Sequence, residues 1–374
     1  MDTLQKLSLL ADDSRYDISC ACATSKEEHR VRRPDGLWLY PVALPNGGKS
    51  IMLKTLLSNA CVNNCLYCPH RATRDTPRCA LEPETIASVF MDYVRRNSVF
   101  GLFLSSGVLG TPDATMERLS AVAATLRRRH AFRGYIHLKV IPGASDAAIR
   151  EALSLASAVS LNVEAPTRAA FAKMSRDKNY DKDIVSPIRR LSELTAPGTP
   201  FAHKKITTQF IVGASDEKDT EIVKATFGLY RRLRLSRVYF SAYQRGAGDP
   251  SLPGEQNSPA RPGDTLTREH RLYQADWLIR KYGFSDAEIP FGPDGNLSLE
   301  TDPKTLWAKQ HPERFPMDIN KADRDELLRV PGLGPVTVNR ILESRAGGNR
   351  IRHLTDLGRM GKRLQTAGEY ITFG

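Results

Sequence analysis

Short apolar runs recur along the chain from about residue 50, separated by segments with helical spacing. The runs Ile51–Leu57, Gly101–Ser105, Tyr135–Ile141, Ala158–Val163, Ile206–Val212 and Arg237–Ala242 read as buried strands. Helices are predicted over Glu82–Arg96, Ala114–His130, Asp146–Ser157, about 184–195, and Glu217–Leu233. Their starts carry Pro, Ser or acidic residues that suit the first turn. Six β-α units in succession imply parallel strands. The runs read as apolar throughout, as for a sheet buried on both faces. An open doubly wound sheet and a β/α barrel both satisfy this pattern. No G-x-G-x-x-G follows the first strand, so the dinucleotide-binding version has no support and the barrel is favoured. In such a barrel function gathers at the C-terminal ends of the strands.

The flanks differ. Residues 1–48 read as a polar, irregular extension punctuated by Pro34, Pro41, Pro45 and Gly47-Gly48. The barrel is predicted over 49–282. It includes a long Gly/Pro/Ser-rich loop at 244–265, with Tyr243 or Arg245 facing substrate, and a helix at Arg268–Tyr282. A connector at 283–316 leads to a small domain at 317–374.

The 374 residues suit two or three domains, and 41% hydrophobic content supports a sizeable core. No run approaches the roughly 18 apolar residues of a membrane span. The acids in MDTLQKLSLLADDSRYD replace the apolar stretch of a signal peptide, so a cytoplasmic protein is expected. Six cysteines are then metal ligands or plain thiols more readily than disulfides. The net charge, 54 − 42 = +12, suits a polyanion without showing one. Its clusters, such as Arg127-Arg128-Arg129 and Arg231-Arg232, stand where basic residues also serve helix C-termini.

The first strand runs into Cys61-Val62-Asn63-Asn64-Cys65-Leu66-Tyr67-Cys68, a C-x3-C-x2-C spacing. Three thiolates ask for a soft metal. A [4Fe–4S] cluster normally takes four, so three leave one iron open. Structural zinc held by Cys61, Cys65, Cys68 and His70 is the alternative. On the fourth strand, Asn162 and Glu164 alternate, so both side chains point to one face and need partners there.

Over residues 50–245 the sequence resembles the radical S-adenosylmethionine superfamily. The resemblance implies a partial (β/α)6 TIM-type barrel. It implies a [4Fe–4S] cluster on Cys61, Cys65 and Cys68, with Tyr67 beside it. It implies S-adenosylmethionine bound by Ser105, Ser106, Gly107, Asn162, Glu164 and Gly213, and cleaved by one electron to a 5′-deoxyadenosyl radical. Gly213 belongs to a loose G-x-I-x-G-x-x-E pattern near the adenine, in which Gln209 replaces the first glycine and Glu217 falls one residue late. Cys20, Cys22 and Cys79 lack the spacing of a second cluster.

Near the C-terminus, a helix at Asp323–Arg329, the turn Val330-Pro331-Gly332-Leu333-Gly334-Pro335 and a helix at Val336–Arg345 closely resemble a helix-hairpin-helix. The glycines let backbone approach a phosphate, and free amides at the second helix's start point at it. The expected contacts are Gly332, Leu333, Gly334, Val336, Thr337 and Arg340. Residues 358–363 form a degenerate second hairpin. Residues 318–374 carry ten basic and seven acidic side chains, a surplus of +3 that agrees with phosphate contact. A protein–protein hairpin is the alternative.

Together with Arg237–Ala242, residues 269–277 and Asp302-Pro303-Lys304, these features resemble a bacterial family of radical S-adenosylmethionine proteins named for DNA modification or repair. That resemblance implies DNA as partner, an electron donor of flavodoxin or ferredoxin type, and a uracil-DNA-glycosylase-like protein. Two other readings stay open. One is an RNA-modifying enzyme of the same superfamily, and the other a DNA-binding protein with a structural cluster.

Overall fold

A computed structural model describes residues 1–14, 31–33, 38–43, 49–257, 259–261 and 263–374. The described residues fall into two compact units. The first comprises residues 1–217 and 228–266, the second 218–227 and 267–374.

The first unit is built on one eight-stranded sheet. Its strands are β1 (Val31–Arg32), β2 (Trp38–Ala43), β3 (Lys49–Leu56), β4 (Gly101–Ser105), β5 (Tyr135–Lys139), β6 (Ala158–Ser160), β7 (Lys205–Val212) and β8 (Arg237–Ala242). They lie in sequence order. β1, β2 and β3 pair antiparallel, and β3 to β8 pair parallel. The helices of this unit are α1 (Thr3–Asp13), α2 (Pro83–Arg95), α3 (Pro112–Ala124), α4 (Asp146–Leu155), α5 (Arg168–Met174) and α6 (Ser186–Leu194). α7 (Asp219–Leu233) is divided between the units, and a single turn, α8 (Pro253–Gln256), follows β8. Helices α2, α3, α4 and α6 touch one another in that order and so form one layer on one side of the sheet. A doubly wound fold would divide them between two faces. The strand order has no reversal and its ends do not pair, which makes this a partial barrel of the α/β class.

The six predicted strands are present, but they are not apolar throughout. On one face Leu102, Leu104, Ile136, Leu138 and Val159 are fully buried. On the other face the Lys54 ammonium lies 4.8 Å from the Phe103 ring, which lies 4.6 Å from the His137 ring. His137 Nε2 is 2.9 Å from Ser160 Oγ. The strands alternate, apolar toward the helices and polar within the curl.

The extension is also less irregular than its composition predicts. Asp2 and Gln5 form a capping box for α1, which buries Leu7, Leu10 and Ala11. Pro41 lies within β2. Helix α5 is a further element that the apolar periodicity does not reveal.

The second unit continues with α9 (Asp264–Lys281), α10 (Pro303–Gln310), β9 (Met317–Asp318), α11 (Arg324–Arg329), α12 (Pro335–Ala346), α13 (Lys362–Gly368) and β10 (Ile371–Thr372). The predicted connector 283–316 thus contains a helix, and the boundary drawn at 282/283 falls inside this unit. Its apolar core includes Ile319, Leu327, Leu328, Leu333, Val338 and Ile341. Asn320 ties the segments around Ile351 and Phe373 together, with Nδ2 donating to Ile351 O and Phe373 O while Oδ1 accepts from Ile351 N.

Asp219 holds residues 218–227 in this unit. Its carboxylate is fully buried, accepting from Arg268 Nε at 2.7 Å and Leu297 N at 2.9 Å. Asp219→Ala strands a buried amide and removes the charge opposite Arg268. We expect a loss of about 2–4 kcal/mol, read from urea unfolding.

Candidate metal and cofactor site

The cysteine loop leaves the C-terminal end of β3 and is held by hydrogen bonds that the spacing does not reveal. Asn59 uses its whole amide: Nδ2 donates to Asp13 Oδ2 and Pro77 O, and Oδ1 accepts from Cys79 N. Arg78 donates to four carbonyls, those of Asn59 (2.6 Å), His70 (2.8 Å), Arg71 (2.8 Å) and Arg74 (2.9 Å). Arg71 donates to Cys68 O and on to Ala247 O and Gly248 O.

Each thiol faces a donor. Cys61 Sγ accepts from Val108 N at 3.3 Å, and Cys68 Sγ from His70 N at 3.4 Å. Cys65 Sγ lies 3.9 Å from Ser175 Oγ and also receives the Lys178 ammonium. Burial, reinforced by the neighbouring charge of Cys65, pushes the Cys68 thiol up to about 12. A free thiolate is therefore disfavoured here without a compensating cation.

This geometry bears on zinc. Among the described residues no three His, Cys, Asp or Glu side chains close on a point that one ion could occupy. The His70 ring is turned to Asp13, with Nε2 3.5 Å from its carbonyl and Nδ1 3.8 Å from its carboxylate.

Gly107 presses on the same loop. Its N donates to Ser58 O at 2.7 Å, and a Cβ there would stand 2.3 Å from Ala60 O and 3.1 Å from Cys61 Cβ. Ser105 is buried, and Ser106 Oγ donates to Gly107 O. The second strand end thus lies directly against the cysteine loop.

The fourth strand end departs from the sequence reading. β6 stops at Ser160, and Glu164 takes the left-handed conformation (φ 60). Simple alternation therefore does not carry through to Glu164. Its carboxylate meets the Tyr67 hydroxyl, whose acidity burial and that charge suppress, and it lies near Lys178. A non-glycine residue held at positive φ stores strain, as functional sites often do. Asn162 is buried, and no hydrogen bond engages its side chain among the described residues.

Sequence reasoning missed Gln209 and Lys178. Gln209 is 3% exposed, and its Nε2 has no hydrogen-bond partner, while its carbonyl accepts from Glu164 N. A glutamine inside an apolar run was the available signal. Lys178 lies in a loop with no local pattern to mark it. A buried orphan amide, an unengaged Asn162 and three thiols on one loop with a cation at Cys65 fit a polar ligand and a soft metal centre.

Gly213 is engaged within its own turn (φ 86). Its N donates to Glu217 Oε1 at 2.6 Å, and Ser215 donates to Oε2. Tyr243 is likewise committed, its hydroxyl donating to Glu255 at 2.5 Å, and Arg245 donates to Glu255 O. The 244–265 loop lies on the cysteine loop through Asp249 N to Leu66 O at 2.7 Å. Cys79 is buried, its Sγ 3.9 Å from Lys6 O, while Cys20 and Cys22 lie outside the described residues.

In the second unit, Gly332 (φ 82) meets the second hairpin, where an added Cβ would lie 2.0 Å from Arg363 O. Gly334 caps α12 without a side-chain bond, so the first amides of α12 are uncapped. Val336 is exposed, Thr337 half-buried and Arg340 donates to Leu357 O. Leu333 is excluded from phosphate contact. Its side chain is buried, its N donates to Val330 O, and its carbonyl accepts from Lys304 Nζ at 2.6 Å. Burial beneath the hairpin brings the Lys304 amine down to about 7.

Residues 318–344 match the helix-hairpin-helix motif. No curated protein matches this chain. Among solved structures, the chain is similar to the FeFe-hydrogenase maturase HydG from Carboxydothermus hydrogenoformans, at 16% identity and TM-score 0.48, over 61% of this chain and 51% of that one. Similarity to methylornithine synthase (PylB) is at 13% identity and TM-score 0.47, over 60% and 62%. The radical S-adenosylmethionine methyltransferase TsrM from Kitasatospora setae gives 14% and 0.41, over 55% and 38%. The chain spans about half the length of the HydG chain and less than two thirds of the PylB chain. Among the described residues no helix is long and apolar enough to cross a membrane.

Two expectations follow. Gly107→Ala forces Ala60 and Cys61 away, so iron bound after anaerobic reconstitution should fall several-fold while far-ultraviolet dichroism is kept. Burial raises the Glu255 carboxyl, but hydrogen bonds from Tyr243 and the Gly246 and Gly248 amides outweigh it and hold the group below its ordinary value. Its contribution is therefore complete above about pH 4.3 and fades as pH falls through the depressed value. Proteolytic nicking at 244–257 by an acid-active protease should rise in that acid range, and Glu255→Gln should be nicked there more than the wild type by a neutral protease at pH 7.

Proposed function

We propose that this chain is a radical S-adenosylmethionine enzyme acting on nucleic acid, most directly DNA. The observation that carries the reading is the C-x3-C-x2-C loop at the C-terminal end of β3, with the Lys178 ammonium at Cys65 and a glycine strand end pressed against it. Cys61, Cys65 and Cys68 hold a [4Fe–4S] cluster. When bound, that group supplies one electron to S-adenosylmethionine, whose cleavage gives a 5′-deoxyadenosyl radical that takes hydrogen from the substrate.

The chain's own residues prepare the site. The Ser105–Gly107 segment and Asn162 offer polar atoms at two strand ends, and Gln209 offers an unspent amide donor. Lys178 brings positive charge beside Cys65 and Glu164. Tyr67, held neutral, orients the Glu164 carboxylate. The hairpin of the second unit supports a phosphate-bearing substrate through the uncapped amides after Gly334. The resemblance adds a flavodoxin- or ferredoxin-like electron donor and a uracil-DNA-glycosylase-like partner, and the acidic N-terminal stretch a cytoplasmic setting.

The protein, reconstituted anaerobically, reduced with dithionite and then given S-adenosylmethionine, is expected to release 5′-deoxyadenosine faster with DNA than without it or with tRNA. Alanine at all three cysteines should abolish both iron and product. An intact cluster with no product, or product from the triple variant, would overturn the reading.

A further inference from the structure

Trp277 stands out on α9. Its neighbours Leu272, Tyr273, Ala275, Asp276, Leu278 and Ile279 are buried, yet the indole is 43% exposed. It is held rather than loose. Its N–H donates to the Tyr282 hydroxyl, and the Arg280 guanidinium, ion-paired to Asp276 at 2.7 Å, lies 5.4 Å from its ring. An ordered, half-exposed indole is a surface with one aromatic face to offer.

That indole lines a cavity of about 390 Å³ within the second unit, together with Gly334, Val336, Thr337 and the second hairpin's Gly358 and Arg359. The volume lies in the range of ligand pockets. Arg340, Arg359 and Arg363 line it and no carboxylate does. Among the described residues Arg359 and Arg363 have neither a hydrogen-bond nor an ion-pair partner for their side chains. Val336 is 75% exposed at the rim. A concentration of unneutralised arginines beside exposed apolar groups asks for a ligand that is anionic on one side and flat and apolar on the other.

A nucleotide has that chemistry. Duplex DNA offers the phosphates but not the base face, because stacked neighbours cover it. Away from duplex ends, it takes an unpaired base, at a gap or in single strand, to leave a face open to an indole.

We propose that the cavity between the two hairpins receives one unpaired nucleotide, its base stacked on Trp277 and its phosphate held by Arg359, Arg363 and the amides that open α12. This rests on the nucleic-acid reading above and adds the class of strand. Phosphate contacts fix position, and the indole selects unpaired over paired bases without reading sequence.

The test uses the full chain and two variants, Trp277→Ala and Trp277→Phe, each checked by thermal melting. Anisotropy titrations compare a single-stranded oligodeoxynucleotide with a blunt duplex of the same sequence. Trp277→Ala should weaken single-strand binding roughly tenfold or more, with duplex binding changed less than about twofold and Trp277→Phe retaining most of the affinity. Indole fluorescence of the wild type should be quenched by the single strand, and that quenching should vanish in Trp277→Phe even if Trp277→Ala fails to fold. Equal effects on both ligands, no effect on either, or quenching kept in Trp277→Phe overturns the stacking proposal and leaves the nucleic-acid reading standing. A wild type that binds neither ligand overturns both.

Discussion

The cysteine loop depends on one guanidinium. Arg78 donates to four backbone carbonyls, two in the stretch that carries His70 and Arg71, one at Asn59 before the first cysteine and one at Arg74. A loop without strand or helix has no ladder to satisfy its carbonyls, and buried ones left unpaired are costly. Arg78 gathers them to one planar fork and so pins the two flanks of the stretch that carries Cys61, Cys65 and Cys68. Gly107 closes the remaining side by backbone contact, which leaves the thiols facing Lys178 and Glu164.

Much of this was legible beforehand for a physical reason. The six strands and the hairpin are local patterns, and local patterns survive in a single sequence. Gly101–Ser105 and Arg237–Ala242 are strands with the predicted bounds. Polar residues inside apolar runs, such as Lys54 and His137, were harder to read. Alternation was present, but short strands with bulky neighbours look continuous. Asn162 was placed at the fourth strand end, whereas the neighbouring role of Glu164 turned on a positive φ that no spacing announces. Lys178 reaches Cys65 from 113 residues away by tertiary path alone, beyond any sequence pattern.

The basic surplus also reads differently in the fold. Arg71, Arg74 and Arg78 serve carbonyls around the cysteine loop. Arg127, from a triple-arginine cluster, donates to Leu155 O, Phe132 O and Gly134 O. Arg345 donates to Ala322 O and Lys321 O. Such arginines act as staples for irregular backbone, and their charge is not on offer to a polyanion. Net charge therefore overstates the attraction for nucleic acid, and the few cations with no internal task carry more information than the total.

The alternation of the curled sheet divides the mutational landscape of the first unit. Its apolar burial lies along the seam between strands and helices, where Leu102, Leu104, Ile136 and Leu138 have no solvent exposure. The opposite face carries polar side chains that engage one another, such as Lys54 over the Phe103 ring and His137 with Ser160. Drift along the seam would alter whether the chain folds, while drift within the curl would alter what the chain accepts. Adjacent positions on a single strand, such as His137 and Leu138, thus answer to different selective pressures. New specificity can be explored in the curl while the seam remains unchanged.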